Sequence, residues 1–132
     1  MTQGIYEILS NEKIALNVYK MILCGDVSDI TASGQFVNIK LDGLFLRRPI
    51  SVCDYEENSL TIIYKAVGKG TEYMSTLNAG AKLNVLVGLG NGYDISAPQK
   101  SALLIGGGVG VPPLYNLCKK LIAKGTDVTV IL

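Results

Sequence analysis

The sequence contains no histidine and only three cysteines. Histidine is the usual general base and the commonest transition-metal ligand, so acid–base and metal chemistry lack their most frequent side chain. The cysteines, Cys24, Cys53 and Cys118, lie far apart without any C-x-x-C pair, whereas metal and iron–sulfur sites normally need four partly clustered ligands. We therefore expect buried free thiols, no metal site and no catalytic side chain, and we assign any chemistry to a bound cofactor.

The chain also lacks a long apolar run, a block of like charge and a leader-like N-terminus. Its apolar stretches, such as Ala102–Ile105, are too short to cross a bilayer. The 12 basic and 11 acidic side chains nearly balance, which argues against nucleic acid or an anionic membrane as a partner. The sequence thus predicts a cytoplasmic protein, and 48% apolar residues are enough to build a core.

Four runs of alternating apolar residues predict strands in the first two-thirds of the chain. They cover residues 14–18, 37–41, 60–66 and 83–87, and clusters of Gly, Asn, Asp and Ser separate them. About six strands at this spacing predict a small antiparallel barrel over residues 1–97. One short helix is expected at Thr71–Leu77, with Thr71 as the cap of its first turn.

The pattern changes after Pro98. Ser101–Ile105 is almost entirely apolar, as expected for a strand buried on both faces. A glycine loop, a helix with apolar positions from Leu114 to Ile122 and a second strand at Asp127–Leu132 follow, which predicts a parallel βαβ unit. One such unit cannot cover its own sheet, so we expect residues 98–132 to be the first part of a nucleotide-binding α/β domain that continues past Leu132. The uncovered edge would favour self-association.

The glycine loop is the strongest single motif. Gly106, Gly107, Gly108, Val109 and Gly110 precede a helix start, where backbone N–H groups can approach a phosphate. The G-x-G-x-x-G fingerprint is not met, because a valine or a proline stands where its last glycine should be, and no P-loop lysine follows. A turn without a ligand is the alternative. Nucleotide binding is favoured because three consecutive glycines are entropically costly.

Two further segments could contact a cofactor. In Arg47–Ser51 a guanidinium could bind phosphate and a hydroxyl could bond a cofactor heteroatom; the alternative is an exposed basic pair beside an edge-strand proline. In Ile63–Thr71 a strand leads through a glycine-flanked turn into a helix, which suits a pyrophosphate. For this segment alone, a core tyrosine and an ordinary capped helix is the favoured alternative.

In this order the three motifs resemble the ferredoxin–NADP reductase superfamily. Within it, Leu46–Val52 and Val67–Thr71 are most similar to the electron-transfer subunits of bacterial dihydroorotate dehydrogenases. The resemblance implies an FAD-binding barrel followed by an NAD(H)-binding α/β domain, with Arg48 toward phosphate and Ser51 toward the ring edge. The residues that it implies for the flavin are Arg48, Pro49, Ile50, Ser51, Ile63, Tyr64, Lys65, Gly70 and Thr71. Those that it implies for the nicotinamide nucleotide are Gly106, Gly107, Gly108, Val109, Gly110 and Pro112.

The resemblance also implies a function in pyrimidine biosynthesis. A flavin-dependent oxidoreductase subunit would pass electrons between NAD(H) and a dihydroorotate dehydrogenase catalytic subunit, in a heterotetramer, through FAD and a [2Fe–2S] cluster. The four-cysteine segment that holds such a cluster is absent from this chain. Two alternatives stay open, namely a subunit of an NADPH-dependent ferredoxin or sulfide oxidoreductase and a non-enzymatic flavin-binding module.

Overall fold

The computed structural model describes residues 1–132. The strands are β1 (Thr2–Ala15), β2 (Val18–Cys24), β3 (Phe36–Lys40), β4 (Arg48–Glu56), β5 (Ser59–Lys65), β6 (Lys82–Leu89), β7 (Ser101–Ile105) and β8 (Asp127–Ile131). The helices are α1 (Lys69–Ser75) and α2 (Pro112–Ala123), and a 3₁₀ turn covers Gly108–Gly110. Neither α-helix has the length and apolar character needed to cross a membrane.

The first six strands close into an antiparallel barrel in the order β1-β2-β5-β4-β3-β6, which confirms the predicted architecture. Three of the four alternating runs lie on β3, β5 and β6. Their inward-facing residues are buried because side chains alternate between the two faces of a strand: Val37, Ile39, Leu60, Ile62, Tyr64, Leu83, Val85 and Val87. Closure pairs both edges of the sheet, so the barrel has no free strand.

The remaining run, residues 14–18, was wrong as a single strand, because the chain reverses there in a hairpin turn. β1 ends at Ala15, Asn17 adopts a left-handed backbone with φ of 57°, and β2 begins at Val18. Asparagine tolerates this conformation better than most residues, which explains the turn. Ile14 and Leu16 are therefore 50% and 79% exposed rather than core residues.

The first helix also differs from the prediction. It begins at Lys69, and Gly68 is the residue that precedes it. Thr71 lies in the first turn, and its Oγ1 accepts hydrogen bonds from the backbone N–H groups of Val67 and Gly68 at 3.0 and 3.2 Å. Thr71 is therefore the third residue of the helix rather than its N-cap, and it stabilises the turn that precedes the helix.

The βαβ unit forms as predicted, with β7 and β8 parallel and α2 between them. Gly125 follows α2 with a φ of 84°, the conformation that favours glycine after a helix. The expected burial of β7 on both faces is not observed. Leu104 packs under α2, whereas Leu103 and Ile105 are 57% and 67% exposed on the opposite face.

All three cysteines are free, but only one is fully buried. Cys53 is buried, Cys118 is half-buried, and Cys24 is exposed, contrary to the expectation of buried thiols. Cys24 faces outward because its neighbour Leu23 occupies the inward position of β2.

Candidate functional site

The three sequence motifs meet at one cavity of about 310 Å³. The start of β4, the end of β5, the first turn of α1 and the glycine loop each contribute to its wall. The lining residues are Pro49, Ile50, Ser51, Ile63, Tyr64, Lys65, Val67, Thr71 and Val109. These segments are up to 60 residues apart in the chain, so barrel closure and the position of α2 are what bring them together.

A second cleft, of about 660 Å³, adjoins this cavity. Its walls are the β1–β2 hairpin and the glycine loop, and it shares Ile63, Lys65 and Val109 with the first cavity. Gly107, Gly108 and Pro112 also line it, which places most of the predicted nucleotide motif on this side. We call these two adjoining spaces together the groove, and each has the size that ligand sites commonly have.

The hairpin is the part of the groove that sequence reasoning missed. Ile14, Ala15, Leu16 and Val18 line the cleft opposite the glycine loop. They carry no polar group, so no chemical motif marked them. The available signal was an apolar pair beside a turn residue, since Ile14 and Leu16 flank the reversal at Asn17 without entering the core.

Arg48 lies directly against the first turn of α1. A Cβ atom placed on Gly70 would be 2.1 Å from Nε of Arg48, which is too close for two non-bonded atoms. Gly70 is therefore the residue that lets the guanidinium approach the helix. The side chain of Arg48 donates one hydrogen bond to the carbonyl of Leu46, and its remaining donors are available to a ligand.

The neighbouring arginine has a different role. Arg47 donates hydrogen bonds to the carbonyl of Asn38 at 3.1 Å and to Oδ1 of Asn84 at 2.8 Å. It thereby connects β3 and β6 on the outside of the barrel. Of the basic pair, only Arg48 is left to bind an anion.

Tyr64 is a core residue whose hydroxyl is already bonded. It is 1% exposed and its ring stacks on that of Tyr19, with centroids 5.8 Å apart. Its hydroxyl donates to Oδ1 of Asn11 at 2.8 Å, and the amide of Asn11 donates to the carbonyls of Met74 and Leu77. Burial raises the pKa of Tyr64 to about 12, so the hydroxyl stays neutral and holds β1, β5 and α1 together.

Thr71 is likewise engaged with its own backbone. Besides the two hydrogen bonds that it accepts, its hydroxyl donates to the carbonyl of Gly68 at 3.3 Å. Its contribution to the cavity is the shape of the turn that carries Gly70. Ile63 and Lys65 flank Tyr64 and face outward into the groove.

Glycine is needed at the positions of the loop for different physical reasons. A Cβ on Gly106 would lie 2.9 Å from Leu114 and 3.2 Å from the carbonyl of Gly110, so the loop packs on α2 only without a side chain there. Gly108 has a φ of 54°. Gly107 and Gly108 line the cleft and have nothing within 4 Å of a Cβ position, so no side chain covers their backbone there. A flat or anionic ligand can approach this surface closely.

The chain is similar to known proteins in sequence and in fold. No protein-family model matches the chain. The chain is 43% identical over 95% of its length to the dihydroorotate dehydrogenase B (NAD(+)) electron transfer subunits of Bacillus cereus strain G9842 and Bacillus anthracis strain CDC 684 / NRRL 3495. The aligned part is 51% of each relative, so the chain spans about half the length of the curated relatives that it matches.

Solved structures give the same picture. An NADH-dependent reduced ferredoxin-NADP oxidoreductase superposes with a TM-score of 0.86 and 33% identity, over 96% of this chain and 47% of that one. Phthalate dioxygenase reductase superposes with a TM-score of 0.81 over 97% of this chain and 42% of that one, and its 23% identity supports the fold alone.

The barrel and the βαβ unit together have a ferredoxin–NADP reductase-like fold along nearly the whole chain. Its sequence is similar to the electron transfer subunits of dihydroorotate dehydrogenase B along nearly its whole length.

Proposed function

We propose that the chain binds FAD in the groove and transfers electrons between NAD(H) and the flavin, as the electron-transfer part of a dihydroorotate dehydrogenase. The observation that carries the proposal is the convergence of Pro49–Ser51, Ile63–Lys65 and Thr71 on one cavity. Arg48 and Gly70 are the chain neighbours of these residues and lie against each other. The names of the relatives supply the dihydroorotate dehydrogenase partner and the preference for NAD(+).

The residues around the cavity fit the chemical parts of a flavin nucleotide. Arg48 offers a charged fork for phosphate, and Gly70 leaves the room in which that fork lies. Pro49, Ile50 and Ile63 present apolar surface for a planar ring, while the exposed hydroxyl of Ser51 can bond a ring heteroatom. The phosphate end and the ring end of the site therefore lie on the same strand, β4.

The glycine loop is the proposed contact for the nicotinamide nucleotide. The uncovered backbone of Gly107 and Gly108 faces the hairpin across a cleft that adjoins the flavin-side cavity. A nicotinamide placed there would lie next to a ring held by β4 and β5. Bound FAD would supply the redox chemistry, since it accepts two electrons together and releases them singly. The chain itself would bind, orient and shield the reacting rings from water.

The proposal divides the chain into a flavin-binding barrel, residues 1–97, and a nucleotide-binding portion, residues 98–132. Transfer beyond the flavin would need a [2Fe–2S] cluster, for which these 132 residues supply no cysteine cluster. We assign the cluster and the contact with a catalytic subunit to the whole enzyme rather than to this chain alone.

A second candidate function is transfer between NAD(P)H and ferredoxin. The likeness to an NADH-dependent reduced ferredoxin-NADP oxidoreductase, at 33% identity and a TM-score of 0.86, favours it. Both candidates use the same flavin site and differ in the protein that exchanges electrons with the flavin.

The test is to purify the chain, saturate it with FAD, remove unbound flavin and record the absorbance spectrum before and after anaerobic addition of NADH. Bound flavin that is bleached by NADH supports the proposal. Failure to retain FAD at saturating concentration would contradict it. The electron acceptor separates the two candidates. Reoxidation of the reduced flavin by a dihydroorotate dehydrogenase catalytic subunit with orotate favours the first, and reoxidation by oxidised ferredoxin favours the second. Each assay includes any further protein segment that carries electrons from the flavin to that acceptor.

A further inference from the structure

The barrel and the βαβ unit have separate apolar cores. Sixteen buried residues form the barrel core, whereas Leu104, Leu117 and Leu121 form a second cluster under α2. Neither cluster includes a residue of the other. Apolar packing alone therefore does not fix how α2, and the glycine loop at its start, sit on the barrel.

The junction between the two units contains a buried polar residue. Asn116 of α2 is 5% exposed. Its Nδ2 donates to Oδ1 of Asp54 on β4 at 2.9 Å, and its Oδ1 accepts from Oγ of Ser33, in the segment between β2 and β3, at 2.5 Å. Because both ends of the amide are used, the side chain has one satisfactory orientation, and the helix is held at two points of the barrel.

A second side chain of α2 completes the arrangement. Lys119 donates to the other carboxylate oxygen of Asp54 at 2.7 Å. Burial alone would raise the pKa of Asp54, but the hydrogen bonds from Lys119 and Asn116 outweigh it and hold that pKa below its usual value. The next residue, Lys120, donates to the hydroxyl of Tyr55, with Nζ 4.8 Å from the ring centroid.

The same two elements carry the two sides of the groove. β4 begins with the Arg48–Ser51 segment and reaches Asp54 three residues later. α2 begins at Pro112, two residues after the last glycine of the loop, and reaches Asn116 one turn later. A rotation of α2 about its contact with β4 would move Val109, which lines both parts of the groove.

We propose that Ser33, Asp54, Asn116 and Lys119 form a polar latch that positions the glycine loop over the flavin side of the groove. These are positioning residues, since none of them lines the cavity that holds the three motifs. The consequence for electron transfer rests on the proposed function, because a hydride moves efficiently only between rings at close, aligned contact. The mechanical part of the proposal, that the latch holds the loop, does not depend on any cofactor.

The test compares Asn116→Asp with the exchanged pair Asp54→Asn/Asn116→Asp. The single variant places two carboxylates face to face, whereas the pair restores a donor opposite an acceptor. Asn91→Asp is the matched control, because it makes the same chemical change at an exposed residue outside the latch. Amide hydrogen exchange of the flavin-free chain is read at the end of the loop, along α2, and on β1 and β2 of the barrel. The loop is represented by Gly110 and Val111, whose N–H groups donate to the carbonyls of Gly107 and Gly108 at 2.9 and 3.3 Å and are therefore protected while the loop keeps its shape.

In Asn116→Asp we expect exchange in the loop and α2 to rise by at least about tenfold, since an unpaired buried polar group corresponds to a factor of about 5 to 150. The amide hydrogen-exchange rates of β1 and β2 should stay unchanged. The double variant Asp54→Asn/Asn116→Asp should return the exchange rate of the loop to within about threefold of the natural chain. Asn91→Asp should have no effect on any of these rates. Unchanged loop exchange in Asn116→Asp, an equal rise throughout the barrel, or no rescue by the pair would each overturn the latch.

A second readout tests the catalytic consequence. In the FAD-loaded chain, the rate of flavin reduction by NADH should fall about tenfold or more in Asn116→Asp and recover in the pair, while FAD affinity stays within about twofold. An unchanged reduction rate would overturn the role in electron transfer. If the natural chain binds no FAD, the proposed function fails, and the exchange data still decide whether the latch holds the loop.

Discussion

The sharpest prediction concerns Gly70, where a single added methyl group should remove the proposed phosphate contact of Arg48 without harming the fold. In Gly70→Ala the new Cβ would lie 2.1 Å from Nε and 2.8 Å from Cδ of Arg48. The helix cannot move away easily, because Met74, one turn later, is fully buried. The flexible guanidinium is therefore the part that must leave its position.

The expected magnitude follows from the contact that is lost. A hydrogen bond to a charged group contributes about 1.5–3 kcal/mol, so displacement of Arg48 should weaken FAD binding by about 10- to 150-fold. The stability of the chain should not fall, since Gly70 has an ordinary helical backbone and alanine is favoured over glycine within a helix by about 1 kcal/mol. FAD titration monitored by flavin fluorescence measures the first quantity, and urea denaturation measures the second.

Gly68→Ala is the matched control. Gly68 lies two residues earlier, has an extended backbone with φ of −160°, and has nothing within 4 Å of a Cβ position, so FAD affinity should stay unchanged. Arg48→Ala should weaken binding as much as Gly70→Ala does, and the double variant should be no worse than either, because both changes remove the same contact. Gly70→Ala with the affinity of the natural chain would refute the reasoning.

Three further outcomes are expected. Tyr64→Phe should lower the free energy of unfolding in urea by about 1–3 kcal/mol, because Oδ1 of Asn11 loses its buried donor; no loss would show that water satisfies this atom. The contact of α2 with the barrel should weaken in acid: the folded pKa of Asp54 is lowered, so its stabilising effect is complete above the unfolded pKa and disappears as the pH falls through the folded value. The protection factors of the α2 amides, which correct for the pH dependence of intrinsic exchange, should therefore fall below about pH 4, and this fall should be absent in Asp54→Asn. Leu16→Ser should slow flavin reduction by NADH while the urea midpoint stays constant, since this residue is 79% exposed yet lines the cleft; a lower midpoint with an unchanged rate would place it in the fold instead.

The barrel was predictable because its interior follows one simple rule. On β3, β5 and β6 every second residue is apolar and buried, so alternation in the sequence maps directly onto the wall of the barrel. The same rule failed at residues 14–18, where alternating apolar residues continue across a reversal. Only the left-handed backbone of Asn17 separates the two strands there, and alternation does not report a change of direction.

The site was predictable in its motifs but not in its assembly. Arg48, Gly70 and the glycine loop stand out by residue type, because phosphate contacts need charge or bare backbone. The hairpin side of the cleft and the polar latch around Asn116 were not predictable, since both depend on which elements meet after the barrel closes. Thr71 shows a further limit: its place beside a glycine turn suggests ligand contact, yet its hydroxyl bonds the preceding backbone.

The most direct test of the account is a titration of the ¹⁵N-labelled chain with FAD, followed by NMR. The central claim is that the three motifs form one flavin site. We predict that the amide signals of Ser51, Lys65, Gly70 and Val109 shift together along a single saturating curve, while those of β7 and β8, outside the cavity, do not. Shifts confined to one motif, or centred away from this cavity, would contradict the claim.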